Sequence, residues 1–464
     1  MRVNAITLIL LLMICIPGRC VSAPLEVNIN LNSVLRSDAD RWIGIDLNYI
    51  RDLDVNRPRA TPLNQALRSM GARWLRYPGG EKSDFHMFAT EPYTKASPVS
   101  LKWYAEMKGE RLNYDEYIRC CRQTGAEPFV VVGCDNEKRT GKTWDQWLQH
   151  AIAWVRYSKL KGYHVKYWEI GNENWCNNTA QPQEMAYVIT RFALAMKKED
   201  PTIKVGASVN EWKEWIQALL QTAGPHIDFL TQSVYNCWAW GSYDYIIQHP
   251  ETNLISSSQS VLSMLKMYAQ SADYERIKLI ITETNSKDFS VKNGWVGDNT
   301  LGHALVSFET FGRLLQEPKI EAAMLWTTRW MNDDEAKTSQ WYGLGPKNNI
   351  MPAGNAVEAW GRYLQKNIVT ATGSKDQIVA FASASPNSKR VSVWLLNRGY
   401  KPQSVVVKLS SKNEYVVKVH RLKGIDANDT APIWEDLPQE RQSGWNIGLR
   451  ELPSLSITVL ECLR

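Results

Sequence analysis

Short apolar runs recur along the chain, separated by longer stretches in which apolar positions repeat every three or four residues. The first pattern is that of buried strands and the second that of amphipathic helices. Eight runs qualify as strands: Ile43–Leu47, Trp74–Tyr77, Pro128–Gly133, Val165–Ile170, Lys204–Ala207, Phe229–Tyr235, Lys278–Thr282 and Ala322–Trp326. Helix-length segments lie between them: Thr61–Met70, Asn113–Thr124, Thr143–Lys161, Gln183–Asp200 (which runs into Pro201), Ser256–Ser271 and Ala304–Gln316. This alternation predicts an α/β protein, a (β/α)8 TIM barrel over residues 41–368 closed by a helix at Ala356–Gln365. The alternative is an open doubly wound sheet. It would call for a Gly-rich phosphate-binding turn, and no such fingerprint is found.

Beyond that helix the texture changes. Ile378–Ala382, Arg390–Leu396, Ser404–Leu409, Tyr415–Leu422 and Ser454–Leu460 are short β-prone runs divided by Gly, Pro, Asn and Ser. They predict a β-sandwich over residues 369–464. Val27–Leu31 alternates apolar and polar side chains, so residues 24–40 are expected to add a strand to it. Residues 1–23 read as a secretory signal: a basic start at Arg2, an apolar stretch from Ile6 to Ile16, and a small-residue cleavage site at Val21-Ser22-Ala23. That stretch is too short to span a membrane, and no later run is long enough. The mature protein is therefore expected to be secreted, extracellular and free of the membrane.

Composition narrows the function. A net charge of +6 with 44% hydrophobic and 22% charged residues describes an ordinary globular protein. The charge is dispersed rather than blocked, so a nucleic-acid partner is not expected. Trp is abundant, at 20 residues. An indole's flat face and polar edge suit stacking on sugars, although at least about half of these rings are expected in the core. Six Cys remain after the signal: Cys120, Cys121, Cys134, Cys176, Cys237 and Cys462. Six allow fifteen full pairings; a Cys176–Cys237 disulfide is preferred because both residues follow strand ends on one barrel face. Adjacent Cys120 and Cys121 cannot easily both pair. None has zinc-site spacing, so no metal and no cofactor is expected. Asn177-Asn178-Thr179 and Asn428-Asp429-Thr430 are glycosylation sequons.

The candidate chemistry sits at two strand ends. Trp168-Glu169-Ile170-Gly171-Asn172-Glu173 ends the fourth strand, and Ile281-Thr282-Glu283 ends the seventh. The C-terminal ends of barrel strands are where this fold presents reactive groups. Two carboxylates there suit glycoside hydrolysis, and about 5 to 5.5 Å between them defines a retaining enzyme. These motifs resemble the retaining glycoside hydrolases of the large (β/α)8 clan, including arabinofuranosidase-, heparanase- and endoglucanase-like members. The resemblance implies that Glu173 is the acid/base and Glu283 the nucleophile. A negative Glu283 would keep its neighbour protonated until the nucleophile is esterified.

The flanking residues agree with this reading. Arg76 ends the second strand, where the resemblance implies a cation that orients the nucleophile. Asn172 is placed to donate to a sugar 2-hydroxyl. Tyr235 ends the sixth strand, where clan members carry a Tyr bonded to the nucleophile; Ser233 stands where many have His. Trp175, Trp238 and Trp326 are candidate substrate platforms, with Trp326 the best single choice for a floor under the sugar. Trp240, Trp295, Trp330 and Trp341 also follow strand ends. The Gly79–Phe85 loop resembles that of arabinofuranosidase-like and heparanase-like members. Glu81, Asp84, Asp135 and Glu137 are read chiefly as solvated loop charge.

The function expected is a secreted retaining glycoside hydrolase acting on polysaccharide or oligosaccharide, with an endo-β-1,4-glucanase or xylanase slightly favoured. The alternative is an α-L-arabinofuranosidase or a β-glucuronidase/heparanase-like hydrolase; the latter needs a cation for the substrate carboxylate, and Lys82 or Arg329 is available. A rival of another class is a non-catalytic carbohydrate-binding protein on the same fold.

Overall fold

The structure is a computed structural model of the 464-residue chain. It describes residues 23–464 apart from 59, 91–92, 94, 178–179, 236, 238–239, 287–294, 296–297, 331–341 and 376, and the side chain of residue 450. The expected signal falls almost wholly outside the described residues. So do Trp238 and Trp341.

Eight parallel strands close into a barrel. In chain order they are Ile43–Asp46, Trp74–Tyr77, Glu127–Val132, Tyr167–Ile170, Lys204–Val209, Phe229–Val234, Lys278–Thr284 and Ile320–Leu325, numbered here as barrel strands 1 to 8. The helices between them begin where local chemistry dictates. Asn113 caps Tyr114–Thr124 by accepting from the Glu116 amide at 2.9 Å, while the Glu116 carboxylate accepts from the Asn113 amide at 3.2 Å. Thr143 and Gln146 make the same reciprocal pair at the start of Trp144–Leu160. Each satisfies donors that a helix start leaves bare.

Alternation along the strands stacks the barrel interior in layers. Trp74, Phe129, Tyr167, Phe229, Ile280 and Met324 fill an apolar floor. Gly44 makes room for it, because a Cβ there would lie 2.5 Å from that of Trp74. Two residues further along the same strands come Asp46, Arg76, Glu169 and Thr231, all buried. A polar layer thus rests on an aromatic one, directly beneath the C-terminal mouth.

The second sheet has nine strands in the spatial order Ile433–Ser443, Glu414–Lys423, Ser456–Leu463, Arg390–Asn397, Ile378–Ala384, Asn367–Thr372, Leu25–Arg36, Gln403–Leu409, Ile447–Leu452. It wraps an aliphatic core that includes Val27, Ile29, Val393, Val407 and Leu460. Leu25–Arg36 pairs antiparallel with Asn367–Thr372 and parallel with Gln403–Leu409, so the first and last described strands both lie in this sandwich. Helix Leu301–Leu315 is buried along almost its whole length, packed beside Pro352–Gly361. Trp360 of the latter meets Trp394 of the sandwich with ring centres 4.6 Å apart.

One cysteine expectation fails. None of the six cysteines is disulfide-bonded, Cys176 being exposed and Cys237 buried, so the Cys176–Cys237 disulfide is not formed. Cys176 instead bonds locally to the Glu173 carbonyl at 3.2 Å. Cys120 and Cys121 are both buried in one helix.

Candidate active site

The fourth barrel strand ends at Ile170, and Gly171 turns the chain with φ of 72°. A Cβ at Gly171 would stand 2.0 Å from the Asn174 Oδ1 atom, so the turn requires glycine. Glu173 follows in the left-handed region, φ 44°, a conformation costing a non-glycine residue about 1–2 kcal/mol. The turn places Glu173 on the wall of a cavity of about 730 Å3 at the barrel mouth. Glu283, from strand 7, lines the same cavity with Asn172, Trp175, Ser233, Tyr235, Trp326 and Trp330.

Arg76 ties the layer beneath together. Its Nη1 donates to Glu283 Oε1 at 2.8 Å and to Asp46 Oδ1 at 2.9 Å. Its Nε donates to Glu169 Oε2 at 2.9 Å, and its Nη2 to Asn172 Oδ1 at 2.8 Å. Thr231 completes Glu169 with a 2.6 Å bond. A guanidinium fork is suited to holding several acceptors in fixed directions. With Oδ1 of Asn172 taken by Arg76, its amide nitrogen remains for a ligand. Asp46 and Glu169, missed as site residues from sequence, are both pushed up by burial.

Strand 6 serves both carboxylates from one side. Tyr235 donates to Glu283 Oε2 at 2.7 Å, and Ser233, two residues earlier, hydrogen-bonds Glu173. Burial first, and the charge of Glu283 second, push the Glu173 carboxyl up to about 8; the Ser233 bond opposes them. Glu283 meanwhile is held by a cation and a hydroxyl. The environments of the two carboxylates are thus unlike, as separate acid and nucleophile roles require.

Trp326, expected as the floor under a sugar, is buried at the end of strand 8, lines the cavity and is joined to Thr327 by a cis peptide bond. Gly80, with φ of 54°, lies under it: a Cβ there would come 2.0 Å from the indole and 3.1 Å from Glu283 Oε1. Lys82 is buried behind Trp326 and Trp330, its Nζ 4.5 and 5.7 Å from their ring centres. It does not line the cavity, and burial lowers its ammonium to about 8. Arg329 is fully buried and bonded to Asp52 and Asn348, which removes it as a substrate cation. Trp240 and Trp295 are core rings stacked on each other, not platforms. Asp84 and Asp135 are not solvated loop charges; both are buried and paired with Arg139 at 2.6 and 3.2 Å. Asn177, the first sequon residue, donates its amide to Asp135 at 3.0 Å on the cavity wall.

Residues 66–245 match the family model described as the alpha-L-arabinofuranosidase 1 domain. The probable alpha-L-arabinofuranosidase C of Aspergillus clavatus is 27% identical over 30% of this chain and 30% of its own. Alpha-L-arabinofuranosidase C of Emericella nidulans is 26% identical over the same shares. Over this part the chain is similar to alpha-L-arabinofuranosidases. The match spans about 30% of the length of these curated relatives. Across nearly the whole chain the fold is that of the (β/α)8 glycoside hydrolase clan. The alpha-L-arabinofuranosidase of Thermotoga maritima, solved with arabinose, superposes with a TM-score of 0.75 at 18% identity, covering 94% of this chain and 99% of that one. A bifunctional glucanase-xylanase from a metagenome library superposes with a TM-score of 0.64 at 12% identity, covering 95% and 99%.

Proposed function

We propose that the protein is a secreted retaining glycoside hydrolase that removes α-L-arabinofuranosyl groups from polysaccharide or oligosaccharide. One observation carries the chemistry: Glu173 and Glu283 face one cavity, the first neutral by environment and the second held by Arg76 and Tyr235. In the first step Glu283 attacks the anomeric carbon while Glu173 gives its proton to the leaving oxygen. In the second, Glu173, now a carboxylate, takes a proton from water, which displaces the Glu283 ester. Asn172 hydrogen-bonds the sugar 2-hydroxyl, and Trp326 carries the ring.

The choice of sugar rests on the arabinofuranosidase domain match, which contains Arg76, Asn172, Glu173 and Tyr235. The endo-glucanase or xylanase expected first from the sequence has weaker support, because its likeness is one of fold alone. A uronate-directed enzyme is disfavoured, since neither Arg329 nor Lys82 reaches the cavity and the cation that does line it, Arg139, is already paired with Glu81, Asp84 and Asp135. A non-catalytic binding protein would have no need of a carboxyl raised to about 8 beside a second carboxylate. No helix among the described residues is long and apolar enough to cross a membrane. The deciding assay sets an aryl α-L-arabinofuranoside against aryl β-xyloside, β-glucoside and β-glucuronide. The expected result is turnover of the arabinofuranoside at least about tenfold above the others; equal or better turnover of another sugar overturns this reading.

A further inference from the structure

The sandwich carries a polar face that shares no lining residue with the cavity at the barrel mouth. From Glu26 to Asn32 the even-numbered residues are exposed while Val27, Ile29 and Leu31 face the core. The strand pairings set Thr372, Asn28 and Lys408 in one row across three strands, and Thr370 beside Asn30 in the next. Rows two residues apart lie about 7 Å from each other. The Leu409 amide donates to the Gly444 carbonyl at 2.7 Å, which brings the following residue, Trp445, to the end of this face. Trp445 is 52% exposed, and with these five residues it lines a shallow groove of about 150 Å3.

The groove has the chemistry of a saccharide site. The exposed indole of Trp445 offers a flat apolar face for a sugar ring. Asn30 Oδ1 accepts from the Asn32 amide at 3.1 Å, which leaves its amide hydrogens as donors. Asn28 donates to Glu26 at 3.2 Å, which leaves its side-chain oxygen as an acceptor. A donor and an acceptor side by side match the hydroxyls of a sugar, each of which both donates and accepts. The face is neutral, because the Lys408 ammonium is paired with the Glu26 carboxylate. We propose that this face binds a neutral polysaccharide chain, Trp445 stacking on a sugar ring and Asn28 and Asn30 bonding its hydroxyls. The site would hold the enzyme on its polymer without touching the reacting bond.

The test is affinity electrophoresis through gels containing soluble arabinoxylan, using the Glu283→Ala protein so that the polymer is not digested. The expected result is retardation that weakens at least about tenfold when Trp445→Ala is added, and in the same direction with Asn30→Ala. In the otherwise native enzyme, Trp445→Ala should leave kcat/KM on an aryl glycoside unchanged. The proposal is overturned if the Glu283→Ala protein is not retarded, if Trp445→Ala migrates with its parent, or if anionic polygalacturonate retards it more strongly. Aryl glycoside turnover is read separately, so failure of the hydrolase reading and failure of this one are distinguishable.

Discussion

At the scale of single residues, the division of labour proposed for Glu173 and Glu283 rests on surroundings, not on residue type. Glu173 is raised to about 8, so it holds its proton below that pH and loses it above. The activity profile on natural substrate should therefore fall on its basic side near pH 8, and Glu173→Gln should remove that limb. Glu173→Gln should also lower turnover of a substrate with a poor leaving group by at least about a hundredfold, and much less with an activated aryl group. A steady-state pH series with both substrates checks this; full activity on the poor leaving group would contradict the acid role. The same shift bears on stability. The folded carboxyl binds its proton more tightly than the unfolded one, so its contribution is full below the ordinary Glu range and is lost as pH rises to about 8. Arg76 is the second residue on which the layer depends. It is fully buried among Asp46, Glu169 and Glu283, and Arg76→Met would leave those carboxyls without their cation. The expected loss is about 3–5 kcal/mol in denaturant unfolding.

At the scale of elements, the barrel was largely legible because strand ends and catalytic positions share one signal: an apolar run, a turn residue, a charged side chain. All eight expected barrel strands overlap observed ones, and Trp74–Tyr77 agrees at both ends. Asp46 and Glu169 were harder to see. Each is one polar residue in a short apolar run, and only barrel closure shows that both point at Arg76. The outer sandwich strand Ile433–Ser443 escaped for a different reason: it is polar, largely exposed and interrupted by Pro438, as suits an edge strand. The strand Asn367–Thr372 buries only Ile368 and Val369, on opposite faces, and also gives a faint pattern. The disulfide expectation failed because shared face does not imply reach between thiols. At the Gly79-Gly80 turn, element geometry sets the seat of Trp326 and the approach to Glu283. Gly80→Ala must push Trp326 aside, which should destabilise the fold by about 1–3 kcal/mol and lower kcat/KM more than tenfold. Thermal unfolding and kinetics on one aryl glycoside measure the two effects; unchanged kinetics would remove Trp326 from the sugar floor.

At the scale of the molecule, barrel and sandwich share buried surface. Trp394 donates to the Ala359 carbonyl at 2.7 Å, and buried Arg398 pairs with Glu309 at 3.1 Å. Gly312 lies against Phe381, where a Cβ would meet the ring at 2.5 Å. The two parts should unfold in one transition, and Trp394→Ala should cost about 3–5 kcal/mol although it lies in the sandwich. Two separated calorimetric transitions would contradict this coupling. A barrel held rigid from behind also keeps strands 4, 6 and 7 in register, and with them Glu173, Ser233, Tyr235 and Glu283. The measurement that bears most directly on the whole account is therefore azide rescue of Glu283→Ala on an activated aryl α-L-arabinofuranoside, with the product identified by nuclear magnetic resonance. The account predicts that Glu283→Ala is inactive alone and that azide restores turnover to a glycosyl azide of inverted configuration. Wild-type turnover by Glu283→Ala without azide would contradict it.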